Sequence, residues 1–388
     1  MKIINVITKS LKEQLRSYWV LLLSLSMGPF FIFVYFIITT TTKSDYKLLI
    51  LNQDKGMLID ARHINHGYDL IEYFKNFKSG NQAIPLNVTV VENKTIAIEN
   101  VKNKKADALI ILDDSFSYTI NKRRLNDSTA APRVDFVGDL TNSNYLISAV
   151  WANEILNEYV LQVTHNKRIV EVKETALGKS GSVNDFDALV PGILIVSLIM
   201  LMFTASIAFV SEIENKTIMR LKLSKLSAFD FLGGISVVQL LVGIVSVLLT
   251  LFTALALGFH YAGSIASLIF IASLTSLSLI AFSLIIAAFT KSANEVLIVG
   301  NFPMFLFMFF TGAAFPLKGD ALFTIAGYPV NIQGLLSPTH AISALNKTLI
   351  MNMDISCVIT EIISIIILTL LYFAIGGIIF KQRHLKLT

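Results

Sequence analysis

The sequence predicts a polytopic α-helical membrane protein with six transmembrane helices and an extracytoplasmic α/β domain inserted after the first helix. Composition supports this fold class, because 54% of the 388 residues are hydrophobic and only 15% are charged, against about 25% charged residues in soluble domains. Six windows are also apolar over roughly the 20 residues that a helix needs to cross a bilayer. They are residues 19–39, 189–210, 235–257, 265–289, 296–315 and 358–380.

The N-terminal segment is predicted to form an amphipathic helix followed by a membrane anchor. Ile3, Ile7, Leu11 and Leu15 recur every four residues, with basic residues mostly around them, which is typical of a helix lying in the headgroup layer. The first apolar window is too long for the hydrophobic core of a signal peptide, so we expect it to be retained. Residues 1–42 are therefore assigned to this helix and the first span.

Lysine and arginine set the predicted orientation of the spans, because cytoplasmic segments carry an excess of both. They cluster in the N-terminal segment, in residues 211–234 and in the C-terminal tail, whereas loop 258–264 contains neither. We therefore expect both termini in the cytoplasm, residues 43–188 and 317–356 outside, and the chain in the cytoplasmic membrane, where basic residues meet anionic lipid. No aromatic-basic groove accompanies these charges, so nucleic acid is not an expected partner.

The polar insertion, residues 43–188, is long enough to be a domain. Its pattern alternates predicted strands and helices. The strands are residues 47–52, 87–92, 108–112 and 133–137, and the helices are residues 68–77, 95–104 and 142–176. This alternation predicts a small α/β domain on a long helical stalk.

A tripeptide in the insertion, Gly178-Lys179-Ser180, resembles the end of a phosphate-binding loop. The glycine that such a loop requires five positions earlier is Lys173, and no buried strand leads into it. We therefore predict that this chain has no nucleotide site of its own. The histidines are not accompanied by a metal-ligand spacing, so no metal site is expected either.

Residues 189–388 are predicted to form a five-helix transmembrane domain with few polar groups inside the spans. Pro191 and Gly192 open the second window, and Asn301 and Pro303 interrupt the fifth. These four residues are candidates for the transport pathway or for helix packing, and packing is the commoner role of a single asparagine. No charged residue lies deep in a window, which argues against an ion relay and favours an apolar or amphipathic cargo.

Other features fall near the membrane surfaces. Gln239 and Glu361 lie close to the ends of their windows, where we expect them to reach the interface. The apolar stretches 321–326 and 332–336 are too short to span the membrane. They are predicted to form re-entrant or interfacial helices on the outer side, with a structured loop as the alternative.

A charged interval, SEIENKTIMRLKLSKLSAFDFLGG at residues 211–234, separates the second and third windows. Ile218, Leu221, Leu226 and Phe229 fall on or near one helical face. The pattern fits a helix lying on lipid headgroups. An anionic leaflet would repel the acidic residues at its start, so the surface of a cytosolic protein is a better host for them. Both interpretations can hold at once.

This region resembles the membrane subunit, or permease, of ABC transporters of the type-2 exporter class. The motifs that carry the resemblance are Val190-Pro191-Gly192, Glu212 with Glu214, Lys216-Thr217-Ile218-Met219-Arg220-Leu221, and Gly233-Gly234. Residues 312–316 and 337–345 resemble an outer loop of the same class. The plan of one span, a large outer insertion and five further spans is also similar.

The resemblance implies that residues 211–230 form a coupling helix gripped by a separate cytosolic ATPase subunit, which would bind ATP and Mg²⁺. The residues expected at that contact are Glu212, Glu214, Thr217, Arg220 and Leu221. The chain would then be a transport subunit and not an enzyme, and would bind no cofactor itself. It would pair with a second copy or a paralogous permease and export an amphipathic or hydrophobic drug, peptide or lipid-like molecule.

The alternative function is a non-transport receptor, sensor or envelope-assembly anchor that works through the extracytoplasmic domain. That hypothesis does not explain the six spans, because one or two would be enough to anchor an extracytoplasmic domain. An intramembrane enzyme is disfavoured because the sequence contains neither His-Glu-x-x-His nor Gly-x-Ser-x-Gly.

Overall fold

The computed structural model describes residues 2–41, 46–59, 62–79, 82–83, 86–125, 127, 129–140, 142–165, 184–215, 227–261, 263–314, 323–325 and 328–385. The chain forms two compact units, Met1–Thr42 with Thr175–Thr388, and Lys43–Glu174. Two helices begin the first unit, α1 (Lys2–Arg16) and α2 (Tyr18–Thr41). The predicted N-terminal amphipathic helix is thus present as α1. It buries Val6 and Ser10 and leaves Leu11 and Leu15 exposed.

The second unit is an α/β fold, as the alternating pattern predicts. Its strands are β1 (Tyr46–Asn52), β2 (Met57–Ile59), β3 (Arg62–Ile64), β4 (Lys78–Ser79), β5 (Gln82–Ala83), β6 (Leu86–Val91), β7 (Ala108–Leu112) and β8 (Val134–Val137). Its helices are α3 (His66–Asn76), α4 (Lys94–Lys102), α5 (Phe116–Arg124) and α6 (Ser143–Thr164). The main sheet has the order β6-β1-β7-β8, with only β8 antiparallel to its neighbour. Helices cover both faces of β1 and β7, which explains their unbroken apolar sequences.

This unit differs in several details from the sequence-based expectation, which did not include the short strands β2, β3, β4 and β5. Helix α5 was not predicted, because its sequence is basic and buries only Phe116, Ser117 and Ile120. Within the predicted long helix, α6 ends at Thr164, where His165 adopts a left-handed conformation with φ of 56°. Residues 166–176 of that prediction lie outside the described residues. The tripeptide at residues 178–180 lies outside the described residues.

A buried carboxylate holds two helices of the α/β unit in place. Asp54 follows β1, and its Oδ1 accepts hydrogen bonds from the backbone N–H groups of Ser117 at 3.0 Å and Gly56 at 3.2 Å. Its Oδ2 accepts from the Gly67 N–H at 3.1 Å and from the Ser117 hydroxyl at 2.5 Å. Gly67 and Ser117 are in the first turns of α3 and α5, whose N–H groups have no partner within the helix. One negative charge therefore caps both helix dipoles.

Replacing Asp54 by alanine is expected to destabilise the α/β unit by about 3 kcal/mol, because two charge-assisted caps are lost at once. Hydrogen–deuterium exchange of the β1 and β7 amides in the full-length protein measures the effect. Asp135→Ala is the matched control, since Asp135 is exposed on β8 and pairs only with Arg133 among the described residues. Equal protection in both variants would contradict the double-cap interpretation.

The buried His66 gives the same unit a pH dependence. Its Nδ1 lies 3.0 Å from the Tyr159 hydroxyl, and burial lowers the pKa of His66 although Asp69 and Asp54 oppose that shift. Below about pH 6.5 the unfolded chain takes up a proton that the folded chain resists, so stability falls toward the lowered folded pKa. We expect exchange protection of β1, corrected for intrinsic rates, to decline over this range. His66→Gln should flatten the decline, whereas substitution of the exposed His63 should leave it unchanged.

The rest of the first unit is mostly helical. Its helices are α7 (Asp185–Ile199), α8 (Leu201–Glu214), α9 (Ala228–Ala256), α10 (Ile265–Phe289), α11 (Ala293–Val299), α12 (Asn301–Phe310), α13 (Ser337–Leu345) and α14 (Ile359–Phe380). Short 3₁₀ turns lie at Gln333–Leu335 and Ile355–Val358, and π-helical turns lie at Asn346–Ile350 and Lys381–Leu385. Backbone polar groups must be satisfied inside each segment in a bilayer, which favours helices there.

In the described part of the chain, six helical stretches are long and apolar enough to cross a membrane. They are Tyr18–Thr40, Asp185–Glu214, Phe229–Ala256, Ile265–Phe289, Ala293–Phe310 and Ile355–His384. This confirms the predicted six-helix fold class. The second stretch is central, with 83% of its window buried against 17% for the first and last.

Close approach between spans depends on small residues, as is usual in membranes. A Cβ atom at Gly376 of α14 would lie 2.9 Å from the Leu284 Cβ and 3.1 Å from the Ile285 nitrogen of α10. The absence of a side chain therefore lets α14 pack directly against the backbone of α10.

The segment between α12 and α13 differs from another expectation. Residues 323–325 of the stretch 321–326 do not form a helix, because Phe323–Ile325 (β9) pairs antiparallel with Tyr328–Val330 (β10). Residues 321, 322 and 326 lie outside the described residues. The strand pairing, which includes Pro329, supplies backbone hydrogen bonds to this short segment. A stable helix would need a longer segment. The helix of the region is α13, which begins later, at Ser337.

Candidate functional site

The last turn of α8 joins the second span to the N-terminal helix through an ion pair. Glu212 is 7% exposed, and its Oε1 lies 2.5 Å from the Lys9 Nζ of α1. Lys9 is also 3.6 Å from Glu13 within α1. A carboxylate buried this deeply is stable only with a charged or hydrogen-bonding partner. The amphipathic helix is therefore held against the end of the second span.

A buried amide forms a second link at the same place. Gln239 of α9 is fully buried, and its Oε1 accepts a hydrogen bond from the Thr204 hydroxyl of α8 at 3.0 Å. Its Nε2 donates to the Gln14 Oε1 of α1 at 3.0 Å. Gln239, which the sequence places near the membrane interface, is thus covered by α1. An amide removed from water requires such partners.

Glu214 links the second span to the fifth. Its side chain is exposed, and Oε2 accepts a hydrogen bond from the Ala293 N–H at 3.0 Å, in the first turn of α11. The last turn of α8 thus contacts α1 through Glu212 and α11 through Glu214. We call residues Lys9, Glu212 and Glu214, with the Ala293 N–H, the α8 junction.

The structure describes only the two ends of the predicted coupling helix, residues 211–230. Residues 211–214 are the last turn of α8, and residues 228–230 are the first turn of α9. Helix α9 begins with a capping box, in which the Ser227 Oγ accepts from the Asp230 N–H at 3.0 Å and the Asp230 carboxylate accepts from the Ser227 N–H at 3.3 Å. Residues 216–226 lie outside the described residues.

The residues predicted to contact an ATPase therefore fall into three groups: outside the described residues, exposed, and buried. Thr217, Arg220 and Leu221 fall within residues 216–226. Glu214 lies at an exposed end of α8. Glu212 is buried in its pair with Lys9, so its carboxylate is used inside the chain. A direct contact through Glu212 does not fit this burial. Sequence reasoning missed the pair because its members are 203 positions apart.

Neutralising Glu212 is expected to loosen α1. Glu212→Gln keeps the side-chain shape and removes the charge, leaving Lys9 without its buried partner, at a cost of about 2 kcal/mol. Hydrogen–deuterium exchange of the α1 amides should rise accordingly. Glu13→Gln, at the exposed partner of Lys9, is the control and should change little. Restored protection in the charge-swapped Lys9→Glu/Glu212→Lys protein would support the pair, and unchanged exchange in Glu212→Gln would contradict it.

The opposite end of the second span is packed against a non-helical segment. Pro191 and Gly192 are buried in α7. A Cβ atom at Gly192 would lie 2.4 Å from the Ala313 carbonyl oxygen, so only glycine permits this approach. The Tyr35 hydroxyl of α2 donates to the neighbouring Ala314 carbonyl at 2.9 Å. Gly192 therefore serves close packing at this end, and Pro191 is buried next to it in α7.

Asp187 ties the start of the second span to the loop between α9 and α10. It is 1% exposed and accepts hydrogen bonds from the His260 N–H at 3.1 Å and the His260 Nδ1 at 3.0 Å. His260 is thus a partner of a buried carboxylate, although its own ring is largely exposed. No group of three or more His, Cys, Asp or Glu suited to a metal occurs within the described ranges.

A cavity of about 360 Å³ opens at this end of the bundle. Its wall includes Gly192, Thr311, Ser343, Asn346 and Lys347. Apolar side chains such as Leu189 and Ile342 complete the lining. The cavity therefore combines hydrogen-bonding groups with apolar surface, as ligand pockets do.

The one charged lining residue described, Lys347, is paired with Glu361 of α14. Its Nζ lies 2.6 Å from the Glu361 Oε1. Ser343 donates to the same oxygen at 3.0 Å, and Thr360 donates to Oε2 at 2.9 Å. Glu361, which the sequence places near the membrane interface, is only 2% exposed in the folded protein. Its partners satisfy the carboxylate inside the protein.

Asn301 and Pro303 lie apart from this cavity lining. Asn301 is exposed, and its Nδ2 donates to the Leu297 carbonyl of the preceding turn at 2.6 Å. Pro303 has no N–H to offer the carbonyl four residues earlier. The fifth span accordingly divides at Gly300 into α11 and α12. The four candidate pathway residues therefore do not converge on one described site.

The family model described as ABC-2 family transporter protein matches residues 16–378. The chain belongs to this family. No curated protein matches the chain in a sequence comparison. As an ABC-2 family protein it is the membrane subunit of an ABC transporter. Such subunits generally lack an ATPase site of their own and work with a cytosolic ABC ATPase.

Proposed function

We propose that this ABC-2 protein is the permease of an ATP-driven exporter, which moves an amphipathic or hydrophobic molecule out across the cytoplasmic membrane. The α8 junction is the observation that carries the proposal. The last turn of α8 leads directly into residues 216–226 and also contacts α1 and α11. A displacement of that segment by an ATPase would therefore act on the N-terminal helix and on two spans together.

The second span provides the path from this junction to the cavity at the other end. It is the most buried of the six stretches in the described chain, and it reaches the cavity wall at Gly192. Packed helices with two discrete arrangements can carry free energy between distant sites. The Gly192 contact with the Ala313 carbonyl is a tight one, so a shift of α7 would change the cavity. ATP binding can drive this shift only if the ATPase contacts differ between the two arrangements.

The proposed cargo follows from the charges of the bundle. Glu361 is buried in its pair with Lys347, and Glu212 in its pair with Lys9. Each of these two buried carboxylates is thus neutralised by a lysine of the same chain, which favours apolar or amphipathic cargo over a simple ion. The cavity of about 360 Å³ would lie on the exit side.

The remaining assignments complete the proposal. Both termini would be cytoplasmic, and the α/β unit would be outside. ATP and Mg²⁺ would be bound by the partner ATPase, with no cofactor on this chain. A second copy of the chain or a paralogous permease would form the other half of the transporter, surrounded by membrane lipid.

Reversing the charge of Arg220 tests the ATPase contact. Arg220→Glu is expected to lower recovery of the ATPase about tenfold when the tagged protein is purified from its native cell, because charge-assisted contacts are lost. Glu214→Lys should also impair recovery, and it additionally removes the cap on α11. Membrane insertion should remain normal in both.

Lys102→Glu, on the exposed end of α4, is the control with the same charge change. Its ATPase recovery should match that of the unmodified protein. Full recovery of the ATPase with Arg220→Glu would argue against a docking role for this segment. It would favour a receptor or anchor function, which requires no such contact.

A further inference from the structure

A second cavity, of about 580 Å³, lies beside the α8 junction. Its lining includes Ile213, Glu214, Phe289, Lys291, Arg383 and His384. These residues belong to the ends of α8, α10 and the turn after α14, and to the connection into α11. Because spans end and begin there, the cavity lies at the depth of lipid headgroups.

The cavity has an excess of positive charge. Neither Lys291 nor Arg383 forms an ion pair with any described residue, and the guanidinium of Arg383 lies 4.5 Å from the centre of the Phe289 ring. Glu214 is the acidic residue of the described lining, and one of its oxygens accepts the Ala293 N–H. A ring nitrogen of His384 lies 3.3 Å from the Ala288 carbonyl oxygen. Two cations therefore face one partly engaged carboxylate.

We propose that this cavity binds the phosphate of an anionic phospholipid. Arginine and lysine are the usual ligands of phosphate, and arginine can donate two parallel hydrogen bonds to it. Basic pockets between transmembrane helices at a membrane surface suit such headgroups. The stacking of Arg383 on Phe289 holds the guanidinium at the cavity wall, which reduces the entropy lost on binding.

Apolar side chains are exposed in the cavity wall and on α14, the helix that leads to Arg383. Ile367, Leu371, Ile375 and Ile378 of α14 are 41–59% exposed and recur every three or four residues, ending five positions before Arg383. Phe289, in the cavity wall itself, is 51% exposed. This surface offers a place for acyl chains once the phosphate is bound. An acidic loop of a soluble partner would match the charges only, so the adjoining apolar surface favours lipid.

The proposal is independent of transport, because lipid binding does not require the ATPase. Retention of phosphatidylglycerol by the purified full-length protein, against a background of phosphatidylcholine, measures it by native mass spectrometry. Arg383→Gln and Lys291→Gln are each expected to weaken retention about fivefold, the effect of one basic residue near an anionic lipid. Lys381→Gln is the control, since Lys381 is exposed on the same turn outside the cavity lining. It should retain phosphatidylglycerol as the unmodified protein does.

The two substitutions lie on different segments, so a folding defect in one leaves the other informative. Unchanged retention of phosphatidylglycerol in both folded variants would overturn the proposal. Displacement of the lipid by equal concentrations of inorganic phosphate would also overturn it, because the site would then bind free phosphate. Loss of ATPase recovery without loss of phosphatidylglycerol would assign the cavity to a protein contact instead. Loss of phosphatidylglycerol with normal ATPase recovery would support the lipid proposal.

Discussion

The need to neutralise a buried carboxylate at the end of the second span fixes the arrangement around it. Glu212 has almost no contact with solvent, and the charge that compensates it comes from Lys9, on a helix that precedes the first span. The amide of Gln239 has a similar requirement and is satisfied by Gln14 of the same helix. Two buried polar groups therefore determine where α1 lies, although much of its apolar surface remains exposed. Its position is set by electrostatics and hydrogen bonding as well as by amphipathicity.

The same physical logic recurs at the other end of the bundle. Glu361 would be costly in an apolar environment, and Lys347, Ser343 and Thr360 together satisfy its oxygens. Gly192 then allows the second span to approach a non-helical backbone segment that a side chain would block. The second span is thus fixed at one end by the ion pair of Glu212 with Lys9 and at the other by close packing at Gly192. This combination is the basis of the proposed transmission of a displacement through the ABC-2 subunit.

A buried carboxylate also organises the α/β unit. Asp54 closes the first turns of two helices with a single side chain, so the loops after β1 and β7 are held at the edge of the sheet. The capping places those loops where parallel sheets commonly bind ligands. In this chain the Asp54 carboxylate occupies that position, so the two loops bind a side chain of the same domain and stabilise its fold.

The sequence by itself determined the six spans, the alternating α/β insertion and the family, because these depend on local patterns. Apolar windows of sufficient length form membrane helices whatever their neighbours, and residues 186–234 carry recognisable motifs. The tertiary structure alone decided that Gln239 and Glu361 are buried, that Lys9 is the partner of Glu212, and that the stretch near Phe323 pairs as a strand. Each of these outcomes depends on which distant segment covers a polar group. A window of sequence contains the polar group but not the residue, 203 positions away in the case of Lys9 and Glu212, that neutralises it.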